Sequence, residues 1–244
     1  MPARRNESSR PDHGTPAQTT PYEHLDAHTE AEREANVVEA RIAAPAAARE
    51  SIATLRDAAT RCHACPLWRH ATQTVFGEGN EHAQLLVVGE QPGNSEDLNG
   101  HPFVGPAGQL LERALQTNGV ERDEVYITNA VKHFKWELRG KRRLHKTPVQ
   151  KEIEACLPWL QAEIELVKPK VVLCLGATAA RATLGGPVRI GEHRGQSIRT
   201  PYGYDVVVTM HPAYVLRLKT GAAEEAYRML QEDVALAAQL ALAA

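Results

Sequence analysis

Short apolar runs alternate with longer amphipathic segments along most of this chain. Four runs rich in aliphatic and β-branched residues, at positions 84–89, 124–129, 170–176 and 206–210, predict buried strands. Segments whose apolar positions are three and four residues apart separate these runs and predict helices. The alternation predicts an α/β fold, with a three-layer αβα sandwich around a central, mainly parallel four-stranded sheet.

The helical segments have recognisable boundaries. Pro148 begins one of them, at a position where proline is favoured. Pro158 lies inside the same segment and predicts that this helix bends or splits in two. The predicted helices cover residues 47–61, 107–118, 148–167, 177–184 and 222–243.

The start of the chain differs from the rest. Residues 1–45 are rich in Pro, Ser, Thr, Glu, Arg and Ala, and they contain few large apolar side chains. This composition predicts a disordered extension, followed by one domain over residues 46–244. No apolar run approaches the roughly 20 residues that a membrane-spanning helix needs, and the first residues lack the apolar stretch of a secretory signal. We therefore expect a soluble, cytoplasmic protein with no membrane partner.

Charge is unevenly distributed although the formal net charge is only -2. Residues 139–148 contain five Lys or Arg side chains and one histidine, His145, together with Gly140 and Pro148. Such a segment is too charged for the core and too interrupted for a helix interior, so it predicts a mobile basic loop. It suits a polyanion bound at one site, and its histidine can act as a nucleophile or base near neutral pH. The alternative is an ordinary solvated loop.

Several segments with potential chemistry follow directly after the predicted strands. They are residues 90–93, 129–133, 176–178 and 211–212. In parallel α/β sheets, ligands bind beyond the carboxyl ends of the strands, so these four segments predict a single site.

Four side chains in or near these segments are candidate functional residues. Glu90 at a strand end suits acid–base or electrostatic work, and Phe103 can stack on a base or fill the core. Asn129 can present a donor and an acceptor to a nucleobase edge, or cap a turn. His211 precedes a proline and is held extended, which can direct it into the site or leave it a buried, hydrogen-bonded histidine.

The four cysteines differ in their surroundings. Cys62 and Cys65 form a Cys-x-x-Cys pair, Cys156 lies in a predicted helix, and Cys174 lies within an apolar strand and is interpreted as a core residue. With His133, three cysteines fit either zinc or an iron–sulfur cluster. A redox pair with an unrelated third cysteine is the alternative.

These segments together resemble the family 4 uracil-DNA glycosylases, over residues 62–217. The resemblance is carried, in chain order, by Cys-x-x-Cys-Pro at 62–66, Val-Phe-Gly-Glu-Gly at 75–79, Gly-Glu-Gln-Pro-Gly at 89–93, Pro-Phe-Val-Gly-x-Ala-Gly at 102–108, Asn-x-Val-Lys at 129–132, Leu-Gly-Ala-Thr-Ala at 175–179 and His-Pro-x-Tyr-x-Leu-Arg at 211–217. It implies a uracil-DNA glycosylase-like α/β fold, and it implies that the protein flips uracil out of DNA into a pocket.

Two departures from that family resemble its UdgX subgroup. His133 stands where the ordinary family has a cysteine, and the link from there to Cys156 carries the extra basic segment. UdgX members have a Lys-Arg-Arg-Ile-His loop whose histidine stays covalently attached to DNA after uracil excision. Here residues 141–145 read Lys-Arg-Arg-Leu-His.

The resemblance implies a role for each candidate residue. It implies a [4Fe-4S] cluster, with Cys62, Cys65 and Cys156 as ligands and His133 inferred as the fourth. The implied catalytic residues are His145, Glu90 and His211. The implied substrate-binding residues are Gly89, Gln91, Phe103, Asn129, Arg142, Arg143 and Arg217.

The expected function is excision of uracil from DNA, with single-stranded DNA preferred, followed by a stable covalent bond between His145 and the abasic sugar. We expect the protein to act as a monomer. A conventional multiple-turnover glycosylase in which His145 only binds phosphate is one alternative. A non-catalytic iron–sulfur protein that recognises damaged DNA is another, and a zinc protein is a third.

Overall fold

A computed structural model describes residues 50–243 of the chain. The predicted disordered extension at residues 1–45 lies outside the described residues. The strands are Glu78–Gly79 (β1), Leu85–Gly89 (β2), Tyr126–Asn129 (β3), Trp136–Arg139 (β4), Arg142–His145 (β5), Val171–Leu175 (β6), Ser197–Arg199 (β7) and Asp205–Thr209 (β8). The α-helices are Ile52–Ala59 (α1), Asn94–Asn99 (α2), Pro106–Thr117 (α3), Gln150–Val167 (α4), Ala177–Leu184 (α5), Ile190–His193 (α6), Pro212–Val215 (α7) and Thr220–Leu242 (α8).

The central sheet has the order β1-β3-β2-β6-β8-β7. The four inner strands are parallel and are the four that the apolar runs predict. Strands β1 and β7 add antiparallel edges, so the predicted count of four is wrong and the sheet has six strands. Both edge strands were missed because two or three partly exposed residues are too few to produce an alternating pattern.

Helices cover both faces of the sheet, which confirms the αβα sandwich. On one face, α1, α4 and α5 pack against side chains such as Leu86 and Val172. On the other face, α3 and α8 pack against side chains such as Val87 and Leu173. Successive residues of one strand point to opposite faces, so each inner strand contributes to both cores.

Helix α4 runs without interruption from Gln150 to Val167, although Pro158 lies inside it. The prediction that Pro158 splits the helix in two is therefore wrong. The side chains that follow it, Trp159 and Leu160, are buried in the core. Packing of this kind stabilises a helix beyond its local propensity and offsets the proline.

The basic segment forms a β-hairpin, so the prediction of a loop is wrong there. Strand β4 pairs antiparallel with β5, and Trp136 lies opposite His145. The turn contains Gly140 with a φ of 62°, a conformation that suits glycine. The hairpin was missed because charged residues dominate the segment, and its stability comes from contacts outside the segment.

No helix in the described part of the chain is both long enough and apolar enough to cross a bilayer.

Candidate active site

The carboxyl ends of the four parallel strands bring the candidate residues together. Gly89 and Asn129 are register partners at the ends of β2 and β3. Gly176 directly follows β6, and its close approach to His211, after β8, would place an added Cβ 3.3 Å from the His211 Cβ. Gly176 also has a φ of 92°, so a side chain would be strained there. One site at this edge therefore includes residues from all four strand ends.

The side chains of Phe103 and Asn129 lie against the backbone of Gly89. A Cβ at this position would overlap the Asn129 Oδ1 and would lie 2.5 Å from the Phe103 Cζ, so only glycine leaves the two side chains in place. Asn129 is 2 % exposed, and its Oδ1 is buried without a hydrogen-bond partner among the described residues. An unsatisfied buried amide oxygen is costly, which favours a ligand that donates a hydrogen bond to it.

Phe103 is held beside Gly89 by an unusual backbone conformation. Its φ is 57°, which is uncommon for a residue other than glycine. The first turn of α3 passes so close that a Cβ at Gly108 would overlap the Phe103 carbonyl. The ring stacks beside His211 with 6.1 Å between centroids.

A buried ion pair between Lys132 and Glu163 lies next to the end of β3 and supports it. The Lys132 Nζ donates to the Glu163 Oε2 at 2.5 Å, to the Asn129 carbonyl at 2.7 Å and to the Thr128 Oγ1 at 2.7 Å. Glu163 also accepts hydrogen bonds from Tyr126 and Thr128. The network fixes the backbone that carries Asn129. The sequence did not indicate a role for Glu163, because only the tertiary fold places α4 next to β3.

Glu90 connects strand β2 to the basic hairpin. Its Oε1 lies 3.4 Å from the His145 Nε2, and its Oε2 accepts a hydrogen bond of 2.5 Å from the Thr178 Oγ1. Burial of the His145 ring lowers its pKa, Glu90 opposes this shift, and the nearby Arg217 adds to it. A lowered pKa keeps the imidazole neutral, which is the nucleophilic form.

His211 is neutral and has a defined tautomer. Its Nδ1 accepts a hydrogen bond of 3.1 Å from the Ala213 amide, so the ring proton is on Nε2. Burial, and then the proximity of His145 and Arg217, lowers the pKa of His211 to about 4. A neutral His211 can donate a hydrogen bond from Nε2 to an oxygen that gains negative charge.

Gln91 holds the base of the hairpin. Its Nε2 donates to the carbonyls of Lys135 and Lys146, at 3.2 and 3.0 Å, and its Oε1 accepts from the Lys135 amide at 3.0 Å. These three hydrogen bonds connect the Gln91 side chain to the residues that flank both strands of the hairpin and align the two strands. This fixes the backbone next to His145.

The three arginines predicted to bind the phosphates of DNA differ in their environments. Arg142, next to the hairpin turn, and Arg217, near His145, are both exposed. Arg143 instead donates to the Asp97 Oδ2 at 2.6 Å and to the Asn94 Oδ1 at 2.8 Å, and it lies over the rings of Phe134 and Trp136. The structure thus engages Arg143 within the protein, where it attaches the hairpin to α2.

Three of the cysteines share one region. The Cys62 Sγ accepts a hydrogen bond of 3.2 Å from the Trp159 Nε1, and the Cys156 Sγ accepts one of 3.3 Å from the Lys132 amide. Burial raises the pKa of Cys156 to about 12, and the proximity of Cys65 and Cys62 contributes to this shift. Cys174 lies apart, in the middle of β6, and its Sγ donates to Thr183.

His133 is buried next to this region. Its Nε2 shares a hydrogen bond of 2.9 Å with the Thr74 Oγ1, and its Nδ1 is buried without a partner among the described residues. Burial lowers its pKa to about 4, so the ring is neutral. A neutral imidazole with one nitrogen held by a partner and the other available has the form of a metal ligand. Within residues 50–243, however, no three His, Cys, Asp or Glu side chains are arranged so that they could hold a metal ion.

Comparison with known proteins agrees with this architecture. Residues 76–235 match the profile of the Uracil DNA glycosylase superfamily. A type-4 uracil-DNA glycosylase of Thermotoga maritima is 40% identical over 175 residues, covering 71% of this chain and 86% of that protein. A type-4 uracil-DNA glycosylase of Pyrobaculum aerophilum is 37% identical over 170 residues, or 67% and 83% of the two chains. A type-5 uracil-DNA glycosylase of the same organism is 30% identical over 178 residues, or 64% and 74%.

The matched region contains all six strands of the central sheet together with Gly89, Phe103 and Asn129, and the two type-4 relatives each align with at least two thirds of this chain. This chain belongs to the Uracil DNA glycosylase superfamily.

Proposed function

We propose that this protein excises uracil from DNA and then remains covalently attached to the abasic sugar through His145. The observation that carries the proposal is the position of the His145 Nε2, 3.4 Å from the Glu90 carboxylate at the strand edge that also holds Phe103 and Asn129. The names of the type-4 relatives support the excision of uracil. The hairpin and its histidine support the covalent attachment.

In this proposal, uracil is recognised next to Gly89 by the side chains of Phe103 and Asn129. The nucleotide must first leave the base stack, because a base inside a duplex is out of reach. Phe103 stacks on the flipped base, an interaction worth roughly 1–3 kcal/mol. The unpartnered Asn129 Oδ1 accepts the N3–H of uracil. Cytosine has no hydrogen at N3 and would leave this oxygen unpaired, so the pocket discriminates against it.

Bond cleavage separates charge across the site. The electrons of the C1′–N1 bond leave with uracil, which becomes an anion, and the sugar becomes a cation. The His211 Nε2–H and the backbone amides near Glu90 and Gln91 stabilise the uracil anion. The Glu90 carboxylate stabilises the sugar cation from the opposite side.

His145 then captures the sugar in place of water. Its neutral imidazole donates a lone pair to C1′ and forms a C–N bond, and the resulting N-alkylated imidazolium loses its one remaining N–H proton to solvent. Uracil gains a proton from solvent, so the overall reaction conserves atoms and charge. No side chain of the described site is placed to protonate and expel the imidazole, so turnover stops at the adduct.

The surrounding basic side chains hold the DNA. Arg142 on the hairpin and Arg217 after α7 are exposed and free to contact phosphates of one strand, preferably single-stranded. Arg143 acts indirectly, because its ion pair with Asp97 fixes the hairpin to α2. The protein acts as a monomer in this proposal.

Three cysteine thiols and one imidazole are a donor set of the type that iron–sulfur clusters use, and a [4Fe-4S] cluster is part of this proposal. Cys62, Cys65, Cys156 and His133 would hold it, and the unpartnered His133 Nδ1 supports the fourth position. When bound, the cluster supplies a structural cross-link between α4 and the segment at residues 62–65.

The proposal is tested by mixing the protein with single-stranded DNA that contains one uracil, followed by denaturing gel electrophoresis. We expect a shifted band that survives heat and detergent, with uracil released in an amount equal to the protein. Free turnover without the band would show a conventional glycosylase. Binding without release of uracil would show a non-catalytic protein that recognises damage.

The rate of adduct formation should depend on pH through His145. The neutral ring is the nucleophile, and burial keeps its pKa below the ordinary value of about 6.5. The rate should therefore be constant above neutrality and fall with a midpoint below about pH 6.5. Single-turnover rates measured between about pH 5 and pH 8 test this, and a midpoint above the ordinary value would contradict it.

A further inference from the structure

Thr178 makes the one hydrogen bond that the structure records to the side chain of Glu90. Its Oγ1 lies 2.5 Å from the Glu90 Oε2. An ionised carboxylate can only accept, so the threonine hydroxyl is the donor. The short distance is typical of a charge-assisted hydrogen bond between a hydroxyl and a carboxylate.

The fold gives Thr178 little freedom to make any other contact. It lies in the first turn of α5, two residues after Gly176, and it is 8 % exposed. The hydroxyl therefore acts on one oxygen of Glu90, Oε2.

This contact assigns different roles to the two oxygens of Glu90. With Oε2 held by Thr178, Oε1 is the oxygen that faces His145 at 3.4 Å. Glu90 has a flexible side chain that is 19 % exposed, so without the hydroxyl it could rotate or pair with His145 directly. Either change would move negative charge away from the place where the sugar becomes cationic.

We infer that Thr178 is a positioning residue, which holds the Glu90 carboxylate in the orientation that stabilises the sugar cation. The inference rests on the proposed function, and it adds a residue to the machinery of base excision. It concerns the chemical step, because Thr178 is buried and its hydroxyl donates to Glu90, the carboxylate proposed to stabilise the sugar cation.

The experiment compares Thr178→Val, which removes the hydroxyl and keeps the shape, with Thr178→Ser, which keeps the hydroxyl. Thr183→Val is the matched control, since it makes the same change on the same helix at a residue that contacts Cys174. Single-turnover uracil release and DNA affinity are measured for each. We expect Thr178→Val to slow release about tenfold or more with unchanged DNA affinity, and Thr178→Ser and Thr183→Val to stay close to wild type.

A double-mutant cycle separates positioning from a merely structural effect. In a Glu90→Ala background, Thr178→Val should cause little further loss, because its partner is already absent. An equal loss in both backgrounds, or failure of Thr178→Ser to restore the rate, would overturn the inference. If wild type releases no uracil, the proposed function itself fails. If wild type is active and Thr178→Val matches it, only the role of Thr178 fails.

Discussion

His145→Ser should abolish the covalent adduct with uracil-containing DNA while uracil release continues. The hairpin places the His145 Nε2 beside Glu90, where a nucleophile can reach C1′. Serine has no lone pair of comparable nucleophilicity near neutral pH and leaves space for water. Water then completes the reaction as hydrolysis, so uracil should accumulate well beyond the amount of protein.

The experiment measures the heat-resistant band and the released uracil in the same samples. His82→Ser is the matched control. His82 is exposed and precedes β2, so it lies at the amino ends of the parallel strands, opposite to the site. It should form the adduct at the wild-type rate. An adduct of normal yield with His145→Ser would mean that a different residue attacks the sugar, and the proposed role of His145 would be wrong.

Cys156→Ala should remove the bound iron and strongly destabilise the protein. Cys156 lies on α4 and its Sγ accepts a hydrogen bond from the Lys132 amide, next to His133 and behind the end of β3. Loss of one ligand would release a cluster that cross-links these segments, and the binding energy of such a group contributes directly to folding. We expect loss of iron, of acid-labile sulfide and of the brown colour, together with a large drop in Tm.

Cys174→Ala is the matched control for this experiment. Cys174 is fully buried in β6, and burial raises the pKa of its thiol to about 12, as for Cys156. Removing its sulfur leaves a small cavity and should cost about 1 kcal/mol while the iron content stays normal. Equal iron content in both variants would exclude Cys156 as a ligand. Zinc in place of iron in the wild-type protein would contradict the proposed cluster.

The edge of the sheet at which the site lies followed from the sequence alone. Apolar runs identified the four inner strands, and the rule that ligands bind at their carboxyl ends brought Glu90, Asn129 and His211 to one edge. The structure places all three there. The sequence could not show that Asn129 has an unpartnered oxygen, since hydrogen bonding depends on which side chains surround it after folding.

The supporting residues could not be found in the same way. Thr178 lies 88 positions from Glu90 and Glu163 lies 31 positions from Lys132, and no spacing rule connects either pair. The hairpin was mistaken for a loop because its stability comes from Gln91 and Asp97, which are distant in sequence. Long-range contacts of this kind appear only when helices and strands pack together.

The sequence by itself determined the positions of the four inner strands, the family-like motifs and the residue types that the chemistry needs. Local periodicity encodes these features, so they can be read without a structure. Only the tertiary structure decided where His145 points, which oxygen of Glu90 faces it, and that Arg143 is engaged by Asp97. The reason is physical: a side chain's direction depends on the neighbours it packs against, and these neighbours come from other parts of the chain.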